Sequence, residues 1–497
     1  MTIHRKRRET MLRATFMAAA AWSVFPLSVF AKDLPATAEG ARKLGDRFTT
    51  VLGAPAPGVP APVVVTPEAG RYVVAIDLVS LAAPLSGLGL SIDPATMELL
   101  MTEQDDGTWR VSADSFPPIS IHAQTLSYVY RFADYRFDGL YDPDLSWFRS
   151  AKLSAARPAL EAHLPNMDEA VGASALTANF AATPANNGAI SMVMHEEVAD
   201  MTAKILASPG EDKALAGAKP TPMSFQGGET LLDASFDGAP VRKLMELWAF
   251  AIAHPSRAQM AANEQGFKAL LRGLVPTEMK LAEKAELKQF GFGAPQGTFG
   301  MTDGKFTLAG STDPSGKGSG EYGFAVEGLT LPPGLVAPTM SDLVPTAFSV
   351  GIRASGFNPA AGANEAIDDL HLAGDGPVMS PEDRSKVLAR LKGTGPILVE
   401  LLPSRIRAPQ VDIALEGEVH LEGVRPSGVL RIHARKFDDT IAAVKALGPL
   451  ATPQVLGGLA LAKGLAKSEP DGSLTWVAEY GADGAISVNG MPLGKAP

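Results

Sequence analysis

Val411-Asp-Ile-Ala-Leu-Glu416, Val429-Leu-Arg-Ile-His-Ala434, Ser473-Leu-Thr-Trp-Val-Ala-Glu-Tyr480 and Ala485-Ile-Ser-Val488 decide the fold class. In the first run Val411, Ile413 and Leu415 alternate with Asp412 and Glu416, the period of a strand with one buried and one wetter face. Asp483-Gly484 and Asn489-Gly490 supply the positive-φ residues that tight turns need. Between Thr440 and Leu465 the apolar spacing changes to that of two short helices. The unit is strand, strand, helix pair, hairpin.

Working outward, the same alternation of element types recurs. Lys32 to Leu52 has helical spacing, and Ala54-Pro-Ala-Pro-Gly-Val-Pro-Ala-Pro62 is a stiff extended linker, because each Pro fixes φ and removes a donor. Strand patterns follow from Tyr72 to Phe236. A helix pair is expected over Val241–Ala253 and from the Ser256 N-cap to Leu274. Strands resume near Glu286, helices near Pro359–Leu370 and Ser380–Leu391, and the closing unit ends the chain. This predicts an α+β fold of two large curved antiparallel sheet blocks with helices packed on the concave faces. The predicted segments are a signal peptide over 1–31, a helix and Pro-rich linker over 32–67, and strand-rich domains over 68–280 and 281–497.

The first 31 residues carry Arg5-Lys-Arg-Arg8, an apolar run from Ala14 to Val29, and Ala31 before Lys32. This is the layout of a secretory signal peptide and places the protein in the periplasm; an uncleaved inner-membrane anchor is the alternative. Arg7-Arg8 suggests a twin-arginine signal, but Thr10 stands where that motif carries Phe. Cleavage removes five basic residues and one acidic one, so a net charge of −10 becomes −14. So acidic a surface repels phosphate backbones, which excludes nucleic acid as a partner. No later segment is long and apolar enough to span a bilayer. With no Cys in 497 residues, disulfides and thiolate chemistry are excluded.

Motifs with chemical content resolve into ordinary structure. Gly318-Ser-Gly320-Glu-Tyr-Gly323 has dinucleotide-loop spacing but enters a strand, so a hairpin is expected. His195-Glu196-Glu197 resembles the start of a zinc-protease helix, yet Ala199 stands where the second His belongs. The eight histidines are scattered, and no metal or cofactor is expected; His420 and His433 lie on neighbouring strands without further ligands. Asp142-Pro-Asp144 pairs two carboxyls that a hydrolase of envelope polymers would use, but turn and cap duty is the simpler reading, with a short helix after it holding Trp147. Tyr128, Tyr130 and Phe132 line one face of a strand, with Trp147 and Phe148 close behind. They form a candidate ligand or partner surface, against cross-strand packing as the plainer alternative.

The order of Leu329-Thr-Leu-Pro-Pro-Gly334, Gly417 to Ile432, the helix bearing Phe437, Ile441 and Val444, Asp471-Gly-Ser-Leu-Thr-Trp476 and Asp483 to Gly494 resembles a family of bacterial envelope proteins known as domain of unknown function 2125. More distantly it resembles the C-terminal part of AsmA-type envelope proteins. The likeness covers residues 320–497. It implies an exported or membrane-anchored protein with long curved sheets, and it carries over no catalytic residues. The expected function is non-enzymatic: an apolar trough that binds lipid or another amphipathic envelope component, with the helix pairs filling or gating it. The alternative is a scaffold that touches other envelope proteins and holds no small ligand.

Overall fold

The computed structural model describes residues 32–52, 60–83, 90–123, 125–207, 221–254, 256–275, 278–374, 376–393, 395–422 and 426–495. The predicted leader and most of the Pro-rich linker lie outside these residues.

Among the described residues, 23 strands join into one sheet, and every ladder is antiparallel. Hydrogen-bonded neighbours run β1 (Val63–Glu68), β2 (Arg71–Asp77), β4 (Thr96–Glu103), β5 (Trp109–Ala113), β7 (Leu126–Asp142) and β8 (Trp147–Leu164). Next, β9 (Met167–Gly172) and β10 (Ala175–Pro184) lie end to end between β8 and β11 (Ile190–Ala207). Then come β12 (Thr221–Ala239), β13 (Met279–Ala294), β14 (Gly297–Thr312), β15 (Gly318–Glu327) and β16 (Ala347–Phe357). The sheet finishes with β17 (Ile397–Ala408), β18 (Val411–Leu421), β19 (Ser427–Arg435), β21 (Leu474–Tyr480), β22 (Ala485–Val488) and β23 (Met491–Lys495). Short strands β3 (Leu90–Ile92) and β6 (Ile119–Ala123) extend the first half of β7, and β20 (Lys467–Ser468) pairs with β21.

The expected antiparallel, sheet-rich α+β class is what forms, but as a single sheet in place of two blocks. β12 and β13 pair from Ser224–Gly293 to Asp237–Lys280, so the ladder runs straight across the expected boundary near 280. The reason is local: the helix hairpin between these strands returns the chain beside the strand it left, and the backbone groups of β12 need a partner.

Following the register from strand to strand assigns every side chain to a face. One face collects Val65, Val74, Leu99, Met101, Val111, Phe137, Leu153, Phe180 and Met194. It continues through Leu232, Ala285, Phe306, Phe324, Val350, Val399, Val419, Leu430 and Ala478. The other face is charged. Lys284 bonds Glu286 at 2.7 Å, Lys288 bonds Asp303 at 2.6 Å, Arg353 lies between Glu321 (2.8 Å) and Glu400 (3.5 Å), and Arg405 grips Asp412 at 2.6 Å. A two-faced sheet of this kind seeks a cover on one side only.

Halfway along the longest strands the alternation slips. Asp134, Arg157, Asp200 and Gln289 take φ values of 49°, 46°, 50° and 51° on β7, β8, β11 and β13. On β12, Gly228 is passed over by the ladders to both neighbours. Ser174, at the β9–β10 junction, closes the gap: its carbonyl accepts from Arg157 N, its N–H donates to Ala199 O, and its hydroxyl donates to Asp200. Each strand gains one residue here, so apolar positions change parity, from Tyr128 and Tyr130 to Phe137 and Tyr141, and from Phe290 and Phe292 to Leu281 and Leu287. The face itself does not change: a Cβ placed on Gly304 would meet both Met301, before the slip, and Leu287, beyond it. A seam of aligned bulges has this effect, adding twist while preserving sidedness.

The helices form a row that is anchored on the apolar face through α1 and α3. α1 (Ala38–Leu52) meets β1 and α3 (Val241–Ala253), α3 meets α5 (Glu264–Leu274), α5 meets α6 (Pro359–Asp368), and α6 meets α7 (Pro381–Lys392). A five-residue α2 (Leu78–Ala82) follows β2, and α4 (Arg257–Ala262) starts on a Ser256–Gln259 capping box. Lys268 Nζ donates to Asp368 O at 3.0 Å and Arg257 Nε to Leu372 O at 2.9 Å, tying the first helix group to the second. α8 (Phe437–Ala446) and α9 (Pro453–Leu465) cover the far corner, where Trp476 packs at a tilt against Phe437 and donates Nε1–H to Ala462 O at 2.7 Å.

Candidate functional site

The apolar face is covered at one end of the C-terminal strands and open at the other. α8 and α9 pack over Ile413, Ile432 and Trp476. Further along the same strands, Val419, Leu430 and Tyr480 have no helix above them among the described residues. With Ile352, Val399, Leu401 and Ile486 they line an open groove of about 520 Å³. Its walls are apolar because each residue belongs to the file that faces away from the charged ladder. Tyr322, Ile352 and Val419 are 46%, 45% and 40% exposed, so large apolar side chains there meet solvent. An exposed apolar surface contiguous over seven strands, β15 to β19 with β21 and β22, is of the kind that marks binding surfaces.

The expected aromatic surface divides in two. Tyr128 and Tyr130 lie on the apolar face opposite Ile121 and Ile119 on one side and Ala162 and Leu160 on the other. Burial raises the pKa of the Tyr130 phenol. Phe132 packs edge-on to Phe116, with ring centres 5.1 Å apart. Trp147 and Phe148 sit elsewhere: β8 starts at Trp147, where a short helix was expected, and Asp142 explains why. Asp142 is buried, accepts from Asp144 N at 2.8 Å and from Arg149 Nε at 2.6 Å, and closes the turn that feeds the strand. That occupies both its oxygens, so the pair Asp142 and Asp144 forms an Asx turn with no acid–base cleft.

Phe148 then meets Phe137 at 5.3 Å and Tyr141 at 5.7 Å, while Trp147 meets Phe180 at 6.0 Å. Gly139 makes room for these rings, since a Cβ there would lie 2.8 Å from Phe148. Trp147 and Phe148 therefore join the covered core beneath α1 and α3. Beside them a small cavity of about 150 Å³ remains, lined by Phe137, Trp147, Phe148, Leu153, Ala178 and Phe180.

Sequence reasoning missed one residue whose signal was present. In Met192-Val-Met-His-Glu-Glu-Val198 the apolar file is Met192, Met194, Glu196, Val198. His195 and Glu197 point to the charged face, where His195 Nδ1 is 2.8 Å from Asp233. Glu196 instead stands on the apolar face, opposite Ala178 and Leu232, and is only 7% exposed. It has no hydrogen-bond or ion-pair partner among the described residues, and burial pushes its pKa up to about 7. Diagonal to it, Thr230 is 8% exposed and its hydroxyl has no partner among the described residues. Below the seam Glu169, opposite Ala162 and Ile205, is raised by burial in the same way. On the charged face the opposite holds: Lys284, Lys305 and Lys288 hold Glu286 at about 2.

No histidine, aspartate or glutamate grouping among the described residues has the makings of a metal site. His433 faces Thr475 and Ala414 while His420 faces Ser427, so the two imidazoles stand well apart along the sheet. Gly318–Gly323 lies in β15, after the Asp313–Gly316 turn that Asp313 closes by accepting from Ser315 and Lys317. No helix among the described residues is long and apolar enough to cross a membrane. No family model, curated protein or solved structure matches the chain.

Proposed function

We propose that this protein is a non-enzymatic component of the bacterial envelope that carries an amphipathic, lipid-like molecule on the apolar face of its sheet. The observation that carries the reading is the exposed stretch from Tyr322 to Ile486, apolar across β15 to β22, on strands whose other end lies under α8 and α9. In this reading the sheet curves around the helix row, the two strand-rich regions 68–280 and 281–497 form the walls of one trough, and α8–α9 stop it at one end. The leader-like residues 1–31 support a periplasmic location, and the likeness of 320–497 to domain of unknown function 2125 and to AsmA-type proteins supports an envelope role.

The test is to purify the protein from a bacterial host, extract it with organic solvent and identify bound amphiphiles by mass spectrometry. One class of amphiphile at near-equal molar ratio is expected, falling at least several-fold in a Val419→Asp, Leu430→Asp double variant. A clean extract from the unaltered protein overturns the proposal.

A scaffold role has its own supporting observation. Strand β23 is the outer strand beyond β22, and its Met491 and Leu493 are both exposed. An open edge with apolar side chains pairs readily with another chain. Loss of a co-purifying protein on Met491→Pro substitution, with the extract unchanged, favours that role.

A further inference from the structure

Glu196 is a buried residue whose carboxyl has no counter-charge among the described residues. Such groups are rare because an ionised carboxylate away from water is strongly disfavoured unless paired. The neighbours that could pair with it do not. Its cross-strand partners are Ala178 and Leu232, and its file-mates on β11 are Met194 and Val198. The nearby positions of β8 on this face are Ala151, Leu153 and Ala155. On β13 the face carries Leu281, Ala285 and Leu287, with one further acid, Glu283, opposite Ala234. From α3, Arg242 is held by Asp144 O at 2.7 Å and Lys243 by Glu246 at 2.7 Å. Lys152 also lines the adjoining cavity but belongs to the charged-face file, opposite Asp138 and Asn179, so among the described residues the charges on this face are another acid or bases already engaged.

What adjoins it is aromatic. Ala178, the residue directly opposite Glu196, also lines the 150 Å³ cavity walled by Phe137, Trp147, Phe148 and Phe180. That places the Glu196 backbone one strand spacing, roughly 5 Å, from a residue of the cavity wall, with both side chains on the same face. Two further polar atoms of this region, Trp147 Nε1 and Thr230 Oγ1, are buried without partners among the described residues. Ring faces attract cations, a carboxylate attracts them more strongly, and the apolar file running away on both sides suits a tail.

We propose that Glu196 and the aromatic cavity beside it form a headgroup subsite for an amphiphile bearing an ammonium group. The inference rests on the reading of the apolar face as a carrier surface and names the class of headgroup it selects. Binding a cation at Glu196 favours the ionised carboxylate, so affinity rises with pH as this carboxyl titrates, whereas exposed acids are already ionised above pH 5.5.

The experiment is calorimetric titration of the full chain with octyltrimethylammonium and with octyl sulfate, below their micellar concentrations, at pH 5.5 and 8.5. Glu196→Gln keeps the shape and removes the charge; Glu197→Gln removes a charge from the opposite face. At pH 8.5 the ammonium amphiphile is expected to bind about tenfold more weakly to Glu196→Gln than to the unaltered chain. Glu197→Gln is expected to match the unaltered chain, and the gap is expected to narrow at pH 5.5. Equal affinity of both variants and the unaltered chain for the ammonium, with both amphiphiles bound, overturns the subsite and leaves the carrier surface standing. Binding of neither amphiphile by the unaltered chain overturns both.

Discussion

Strands β18, β19 and β21 present two ends of one apolar surface, and the two ends have different fates. Ile413, Ile432 and Trp476 lie under α8 and α9, whereas Val419, Leu430 and Tyr480 line an open groove. The side chains are of the same kind and occupy the same files of the same ladders. What separates them is a loop length: the 38 residues between β19 and β21 include a helix pair that folds back over one end. Burial is thus a property of what the chain lays on a strand, and the strand's own pattern states only that something apolar must meet it.

Removing the anchor of the closed end breaks this comparison most severely. Trp476→Ala deletes a ring that packs on Phe437 and bonds Ala462, and its loss is expected to cost about 3–5 kcal/mol. Urea unfolding followed by far-UV circular dichroism measures it; a loss below about 1 kcal/mol means that α8 and α9 do not seal that corner.

The neighbourhood of Glu196 is sharpened by pH. Glu196 has its folded pKa raised to about 7 against an ordinary 4.5, so the folded state binds the proton more tightly. Its contribution is fully present below pH 4.5 and is lost as pH rises to 7, about 3 kcal/mol over that window. Glu286, held at about 2 by Lys284, runs the other way: its contribution is present above pH 4.5 and is lost as pH falls through 2. Unfolding midpoints of the unaltered chain and Glu196→Gln, compared from pH 4.5 to 8.5, separate the two. The Glu196→Gln variant is expected to become the more stable as pH rises, and parallel curves contradict the assignment.

At the open end, Val419→Ser is expected to cost no more than about 1 kcal/mol, because the side chain is already 40% exposed. Its effect belongs to ligand content, read by mass spectrometry. A stability loss as large as that of Trp476→Ala erases the contrast between the two ends. Smallest is the charged face: Arg353→Met, which releases Glu321 and Glu400, is expected to change stability by about 0.5 kcal/mol, with a salt dependence visible between 0.05 and 0.5 M.

Much of the architecture was legible in residues. The closing unit forms as its alternation requires, with β18, β19, β21 and β22 at the expected places and α8 and α9 between them. Helix starts followed cap chemistry: Ser256 with Gln259 and Ser380 with Asp383 form capping boxes, and the Ser380 hydroxyl heads the causes that hold Asp383 at about 2. The site was less legible. Tyr128 and Tyr130 do occupy the apolar face, but Trp147 and Phe148 belong to the covered core, and strand aromatics have the same composition in either setting. Glu196 was visible as one acid in an apolar file, yet His195 and Glu197 beside it draw the eye to a motif that the strand splits between two faces.

By itself the sequence determined the local elements, the sidedness of each half-strand and the acidic character of the chain, because periodicity, caps and turns are written in adjacent residues. Only the tertiary structure decided that the strands form one sheet, that the seam at Asp134, Arg157, Asp200 and Gln289 keeps the apolar files on one face, and which part of that face stays open. Those outcomes depend on pairing between residues far apart in the chain. A shift of one residue exchanges the two faces of a strand, and only its partners in the ladder show whether a bulge has restored them.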